Sequence, residues 1–184
     1  TLQTSIYLSK LHPEHEFQYL NVGQRIKALE KFFSEAEKMI DEADLLIFSY
    51  PVYTFLAPYQ LHKFISLLKE SGINIKGKYA TQISTSKHFY DVTAHRYIQD
   101  NCQEIGLKFI KGLSADMDDL PLEKGQNEAK AFFEFLMWSI ENDVIASDLN
   151  SFTAPKNIKV DIPEDNRTEK EIELLIKAIK VADA

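Results

Sequence analysis

Ala43-Asp44-Leu45-Leu46-Ile47-Phe48-Ser49-Tyr50-Pro51-Val52-Tyr53 is the stretch on which the fold turns. Leu45 to Phe48 is apolar without alternation, the pattern of a strand covered by helices on both faces, so Asp44 to Ser49 is read as the central strand. Its flanks are helical. Arg25 to Ala43 sets Ile26, Leu29, Phe32, Phe33, Ala36, Met39 and Ile40 at three- and four-residue spacing, which predicts one helix of about five turns. After Pro58, Leu61, Phe64, Ile65 and Leu68 resume the helical spacing until Gly72 stops it.

Working outward, Leu2 to Leu11 reads as a short amphipathic helix ended by His12-Pro13, because proline disfavours helical geometry in the residue before it. Glu16 to Val22 reads as a strand, Lys78 to Ser84 as another, and Leu107 to Leu113 as a third. Val92 to Ile105, ended by Gly106, and Ala129 to Ile140 are predicted helices. Alternating strands and helices predict an α/β fold in three layers, a parallel sheet with helices on both faces. The helical spacing of Leu2, Ile6, Leu8 and Leu11 begins so abruptly that a further segment is expected upstream of Thr1.

The character changes after residue 147. Asp148 to Pro155 is rich in turn formers, Ile158 to Ile162 reads as a strand, and Thr168 with Glu171 has the spacing of a capping box opening a helix through Ile179. Residues 1–147 are therefore expected to form the main domain and residues 148–184 an extension or the start of a further unit.

Composition narrows the function. The chain of 184 residues carries 28 acidic and 21 basic side chains, a net charge of -7. That balance disfavours nucleic acid and anionic membrane surfaces as partners, since both are polyanions. No run approaches the roughly 20 apolar residues of a membrane span. The single cysteine, Cys102, cannot close an internal disulfide, so a reducing cytoplasm is the expected location and a packed apolar role the expected one for its thiol.

In an open parallel sheet, ligands bind at the carboxyl ends of the strands, which directs attention to three loops. Ser49 to Pro58 holds two prolines and the aromatics Tyr50, Tyr53 and Phe55, which either present a flat wall to a planar ring or pack on the following helix. Ser84-Thr85-Ser86-Lys87-His88-Phe89-Tyr90-Asp91 offers hydroxyls, amides and a cation, with Asp91 expected to cap the next helix. Ser114 to Pro121 contains Asp116, Asp118 and Asp119, whose spacing suits a turn with solvated acids better than a metal loop. His12, His15, His62, His88 and His95 show no metal-ligand spacing, and neither a Gly-x-Ser-x-Gly elbow nor a glycine-rich phosphate loop occurs.

The pattern from Ala43 to Tyr53, continued through Pro58-Tyr59-Gln60-Leu61-His62-Lys63-Phe64-Ile65, resembles the flavodoxin-like NAD(P)H-dependent FMN oxidoreductases, including NADPH-dependent FMN reductases and the flavin domains of iron-sulfur flavoproteins. The order of elements to about residue 145 is similar to that fold without its first strand and the phosphate loop that follows it; Thr1 could stand only as that loop's last residue. The resemblance implies FMN as cofactor, with Pro51, Val52, Tyr53, Thr54 and Phe55 along the isoalloxazine and Ser84, Thr85, Ser86 and Lys87 on its other side. It implies NAD(P)H as electron donor, with hydride passing to the flavin and on to a small-molecule or redox-protein acceptor, and a homodimer. No residue is assigned a catalytic role, because the flavin carries the chemistry. A flavodoxin-like electron carrier reduced by another protein, and a non-catalytic interaction module, are the alternatives.

Overall fold

The computed structural model describes residues 1–87 and 91–146. The boundary expected at residue 148, the strand expected at 158–162 and the helix expected at 168–179 lie outside the described residues. Helix α1 is Leu2–Leu11, α2 Val22–Leu29 and α3 Ser34–Glu42; strand β1 is Leu45–Pro51; α4 is Tyr59–Ser71, β2 Tyr79–Ser86 and α5 Val92–Glu104. Two short strands, β3 Lys108–Phe109 and β4 Leu113–Asp116, precede the long helix α6, Glu123–Glu141.

The described strands pair in parallel: β1 runs beside β2 from Leu45 against Tyr79 to Pro51 against Thr85, and β3 and β4 both pair with the other edge of β2. Alternation along the strands sends side chains into two cores. Phe48, Tyr50 and Ala80 join Ile40, Phe64, Ile65, Ile98 and Cys102 on the side of α3, α4 and α5. Ile83 joins Leu8, Phe132, Phe133 and Leu136 on the side of α1 and α6. The result is the expected three layers, a flavodoxin-like α/β sandwich. Gly72 ends α4 in the left-handed region, at φ 70, where a side chain would be strained.

Three expectations are corrected. The helix expected over Arg25 to Ala43 is two, α2 and α3, broken at Glu30 to Phe33. One helix over that span would be about 28 Å long, whereas the strand it leads into covers about 23 Å. The break leaves Phe32 in solvent and lets Phe33 meet Phe64 at 5.5 Å between ring centres. Ser34 and Glu37 also carry the spacing of a helix start inside the apolar stripe, although Ser34 is the first helical residue and no side chain caps the end.

The strand expected at Glu16 to Val22 does not form; the segment is irregular up to Val22, which opens α2. A strand needs a partner edge for its ladder, and here Phe17 instead stacks on Phe133 at 6.2 Å while the Tyr19 hydroxyl donates to the Ser5 carbonyl at 3.3 Å. The strand expected at Leu107 to Leu113 is divided into β3 and β4. Between them Gly112 lies so close to β2 that an added Cβ would stand 2.3 Å from Gln82 Cγ and 2.4 Å from its carbonyl oxygen. Only glycine allows that approach, and the ladder is interrupted beside it.

Candidate functional site

The carboxyl ends of β1, β2 and β4 lie side by side at one edge of the sheet. At the end of β1 the chain makes a tight reversal. Tyr53 N–H donates to the Leu56 carbonyl at 2.9 Å and Leu56 N–H donates back to Tyr53 at 3.0 Å, with Thr54 at φ 47 and Phe55 at φ 71 between them. Two successive positive φ values define a mirror-image hairpin turn, which ordinarily selects asparagine and glycine. Here a β-branched residue and an aromatic one occupy it, so local strain is stored in the loop.

This turn places its aromatics outward: Tyr53 is 64% and Phe55 47% exposed, with Leu56 and Tyr59 exposed nearby. Tyr50, expected to share that surface, is only 2% exposed and belongs to the core. The reason is strand alternation, since β1 continues through Pro51 and Tyr50 faces the same side as Phe48. The turn is tied to β2 by Val52 N–H donating to the Thr85 carbonyl at 3.0 Å.

The end of β2 is polar and buried. Ser84 is fully enclosed and its Oγ lies 2.7 Å from Nε2 of His95, on α5. The same nitrogen is 3.7 Å from the carboxylate of Asp91, itself 5% exposed, which accepts a short hydrogen bond from the Ser114 hydroxyl on β4. Tyr50 donates from its hydroxyl to Gln82 Oε1 at 2.6 Å, and Gln82 Nε2 donates to the His95 carbonyl at 3.2 Å. One hydrogen-bonded system thus links β1, β2, β4 and α5. Burial, reinforced by the charge of Asp91, pushes the Tyr50 phenol well up, so it remains a proton donor. Burial lowers the His95 pKa against the opposing pull of Asp91, with Lys111 adding to the lowering, so its imidazole is neutral near pH 7. Serine, histidine and aspartate together suggest a nucleophile and base, but both oxygens approach the same ring nitrogen and Ser84 is inaccessible. A nucleophilic triad needs the carboxylate on the opposite nitrogen and the hydroxyl within reach of substrate.

Asp91 does occupy the N-cap position of α5, but its side chain makes no cap hydrogen bond. The carboxylate is turned inward to Ser114. Neither His95 nor Gln82 was singled out in the sequence as part of a site; the four-residue spacing from Asp91 to His95 along a helix was the available signal.

The remaining expected site residues are divided. Ser84 and Ser86 are buried, and Thr85 is half-buried on the opposite face of β2. Lys87 reaches across to the loop after β4, pairing closely with Asp118 and standing 3.8 Å from Asp116, which holds its ammonium protonated to higher pH than usual. Asp119 pairs with Lys124 at 2.7 Å, so the acidic loop is partly neutralised from within. Thr1 is the N-cap residue of α1. Next to it, Thr4 lines a small crevice with Leu113, Ala115, Asp116, Asp119 and Gly125. Tyr53 and Phe55 thus form an exposed aromatic surface, whereas the crevice beside Thr4 is lined by carboxylates that would oppose a phosphate.

No family model and no curated protein matches the sequence. Solved structures do. The flavoenzyme FerB, an NAD(P)H:(acceptor) oxidoreductase from Paracoccus denitrificans, is similar at a TM-score of 0.55 and 16% identity over 76% of this chain and 88% of that one. A structure described as a thermophilic tryptophan halogenase from Streptomycin violaceusniger is similar at 0.53 and 14% identity, over 73% of this chain and 90% of that one. Both likenesses are of fold: they show a protein of flavodoxin-like architecture. Two such different activities at nearly equal likeness leave function to be argued from the site.

Proposed function

We propose that the chain is an FMN-dependent oxidoreductase that passes electrons from NAD(P)H through bound flavin to a small-molecule or redox-protein acceptor, acting in the cytoplasm as a homodimer. The observation that carries this reading is the strained turn at the carboxyl end of β1, which holds Tyr53 and Phe55 exposed where a parallel sheet binds its ligands. Such strain persists only where surrounding structure enforces it, and here Pro51 and the Val52 to Thr85 hydrogen bond anchor the loop.

In this reading the isoalloxazine supplies the two-electron chemistry itself. The chain's part is to hold and enclose it. Pro51, Val52, Tyr53, Thr54 and Phe55 give one wall, with Tyr53 the aromatic surface for the ring, and Thr85 and Lys87 border the other side, backed by the buried Ser84 and Ser86. Thr1, the N-cap residue of α1, is the residue this reading assigns to the phosphate end, where the carboxylates of the neighbouring crevice oppose an anion. To bind an anion Lys87 exchanges Asp118 for it.

The test is a titration of full-length protein with FMN followed by flavin fluorescence. Tyr53→Ala is expected to weaken binding by about tenfold or more, the value of one aromatic stack. Anaerobic addition of NADPH or NADH to the loaded protein should bleach the flavin absorbance. A protein that takes up no FMN refutes the reading; one that binds FMN but does not bleach is an electron carrier.

A further inference from the structure

We propose that His95 is a positioning residue for the ring-side wall: its Nε2, set between the Ser84 hydroxyl and the Asp91 carboxylate, holds the end of β2 where the Thr85 carbonyl receives the Val52 amide. The chain of contacts is continuous. His95 meets Ser84 at 2.7 Å, Thr85 follows in sequence, and its carbonyl accepts from Val52 at 3.0 Å. Val52 then leads into the turn that exposes Tyr53 and Phe55.

Three features make this more than packing. The enclosed Ser84 hydroxyl has His95 for its partner, so losing the imidazole leaves a buried hydroxyl to be satisfied anew. Asp91 selects the tautomer, because only the form with the proton on Nε2 turns a positive edge to the carboxylate at 3.7 Å. The backbone of His95 is also held, since its carbonyl accepts from Gln82, the residue that Tyr50 of β1 grips. The Tyr53 and Leu56 hydrogen bonds close the turn on itself, and the Val52 to Thr85 hydrogen bond ties it to the end of β2.

The consequence for a ligand rests on the flavin reading above; the mechanical coupling does not. Hydrogen exchange on the full chain without flavin tests the coupling. His95→Ala should lower protection of the Val52 to Leu56 amides about tenfold, the scale of one lost hydrogen bond, while the interior amides of α4 at Phe64 and Ile65 keep theirs. His95→Gln, which can still bond Ser84, should restore the loop, and Ser84→Ala should reproduce the loss; if His95→Ala does not fold, Ser84→Ala carries the same contrast.

Equal loss of protection in α4 and the turn, or no loss in the turn, overturns the proposal. FMN titration of the same proteins separates the two readings. Exchange as expected with no FMN bound by the parent removes the flavin reading alone. FMN bound equally well by parent and His95→Ala overturns the positioning role while leaving the flavin reading intact.

Discussion

The carboxyl ends of β1 and β2 are neighbours in one ladder and opposites in character. β2 ends enclosed, with Ser84, Gln82, His95, Asp91 and Ser114 satisfying one another. β1 ends in a strained turn whose aromatics stand in solvent. In the proposed binding edge the fixed polar end sets positions and the presented apolar end makes contact. The same physics explains the energetics of each. Buried polar groups are costly to leave unpaired, while an exposed turn has little packing to lose.

The contrast can be broken or sharpened by substitution. The largest effect is expected at Tyr50, which joins the two ends. Tyr50→Ala empties core volume and should cost about 3–5 kcal/mol, while Tyr50→Phe, which orphans Gln82 Oε1, should cost about 1–3 kcal/mol; urea melts measure both. No cost for Tyr50→Phe would mean the hydroxyl adds nothing and the polar end is not a network.

Acid should act next, through His95. Its pKa is lowered in the folded protein by burial, opposed by Asp91 and assisted by Lys111. The unfolded chain therefore binds its proton first, and stability falls as pH drops from the ordinary histidine value of about 6.5 toward the lowered folded one. Above that window the contribution is complete. His95→Gln should flatten this part of the stability profile, and an unchanged slope would assign it to other groups.

At the turn, Thr54→Asn suits the positive φ and should gain at most about 1 kcal/mol by relieving strain. A loss of stability would show that Thr54 is held by contacts rather than strained. Smallest of all, Tyr53→Ala should change the melting midpoint by less than about 0.5 kcal/mol equivalent while weakening FMN binding. A large loss of stability would make Tyr53 a packing residue and erase the difference between the two ends.

Particular residues show where sequence reading reaches and where it stops. Leu45 to Phe48 and the stripe from Leu61 to Leu68 were legible because burial on both faces, or on one helical face, leaves a local period. The stripe from Ile26 to Ile40 had an equally good period and misled, because the apolar spacing runs on through Glu30 to Phe33, where the chain breaks between α2 and α3. Glu16 to Val22 looked like a strand because its composition is strand-like, but a ladder depends on a neighbour supplied by the fold. In the site, Tyr53 and Phe55 were legible as aromatics on a loop, and Tyr50 was misplaced by the extension of β1 through Pro51.

The sequence by itself determined the α/β class, the central apolar strand and the place of its loop, since each rests on hydrophobic pattern and turn chemistry within a few residues. Tertiary structure decided the rest. The union of Tyr50, Gln82, Ser84, Asp91, His95 and Ser114 spans four elements between residues 50 and 114, and hydrogen bonds between such groups leave no period to read. The positive φ of Thr54 and Phe55 was decided there too, because neither residue prefers it; the closure of Tyr53 against Leu56 and the grip of Thr85 on Val52 impose it.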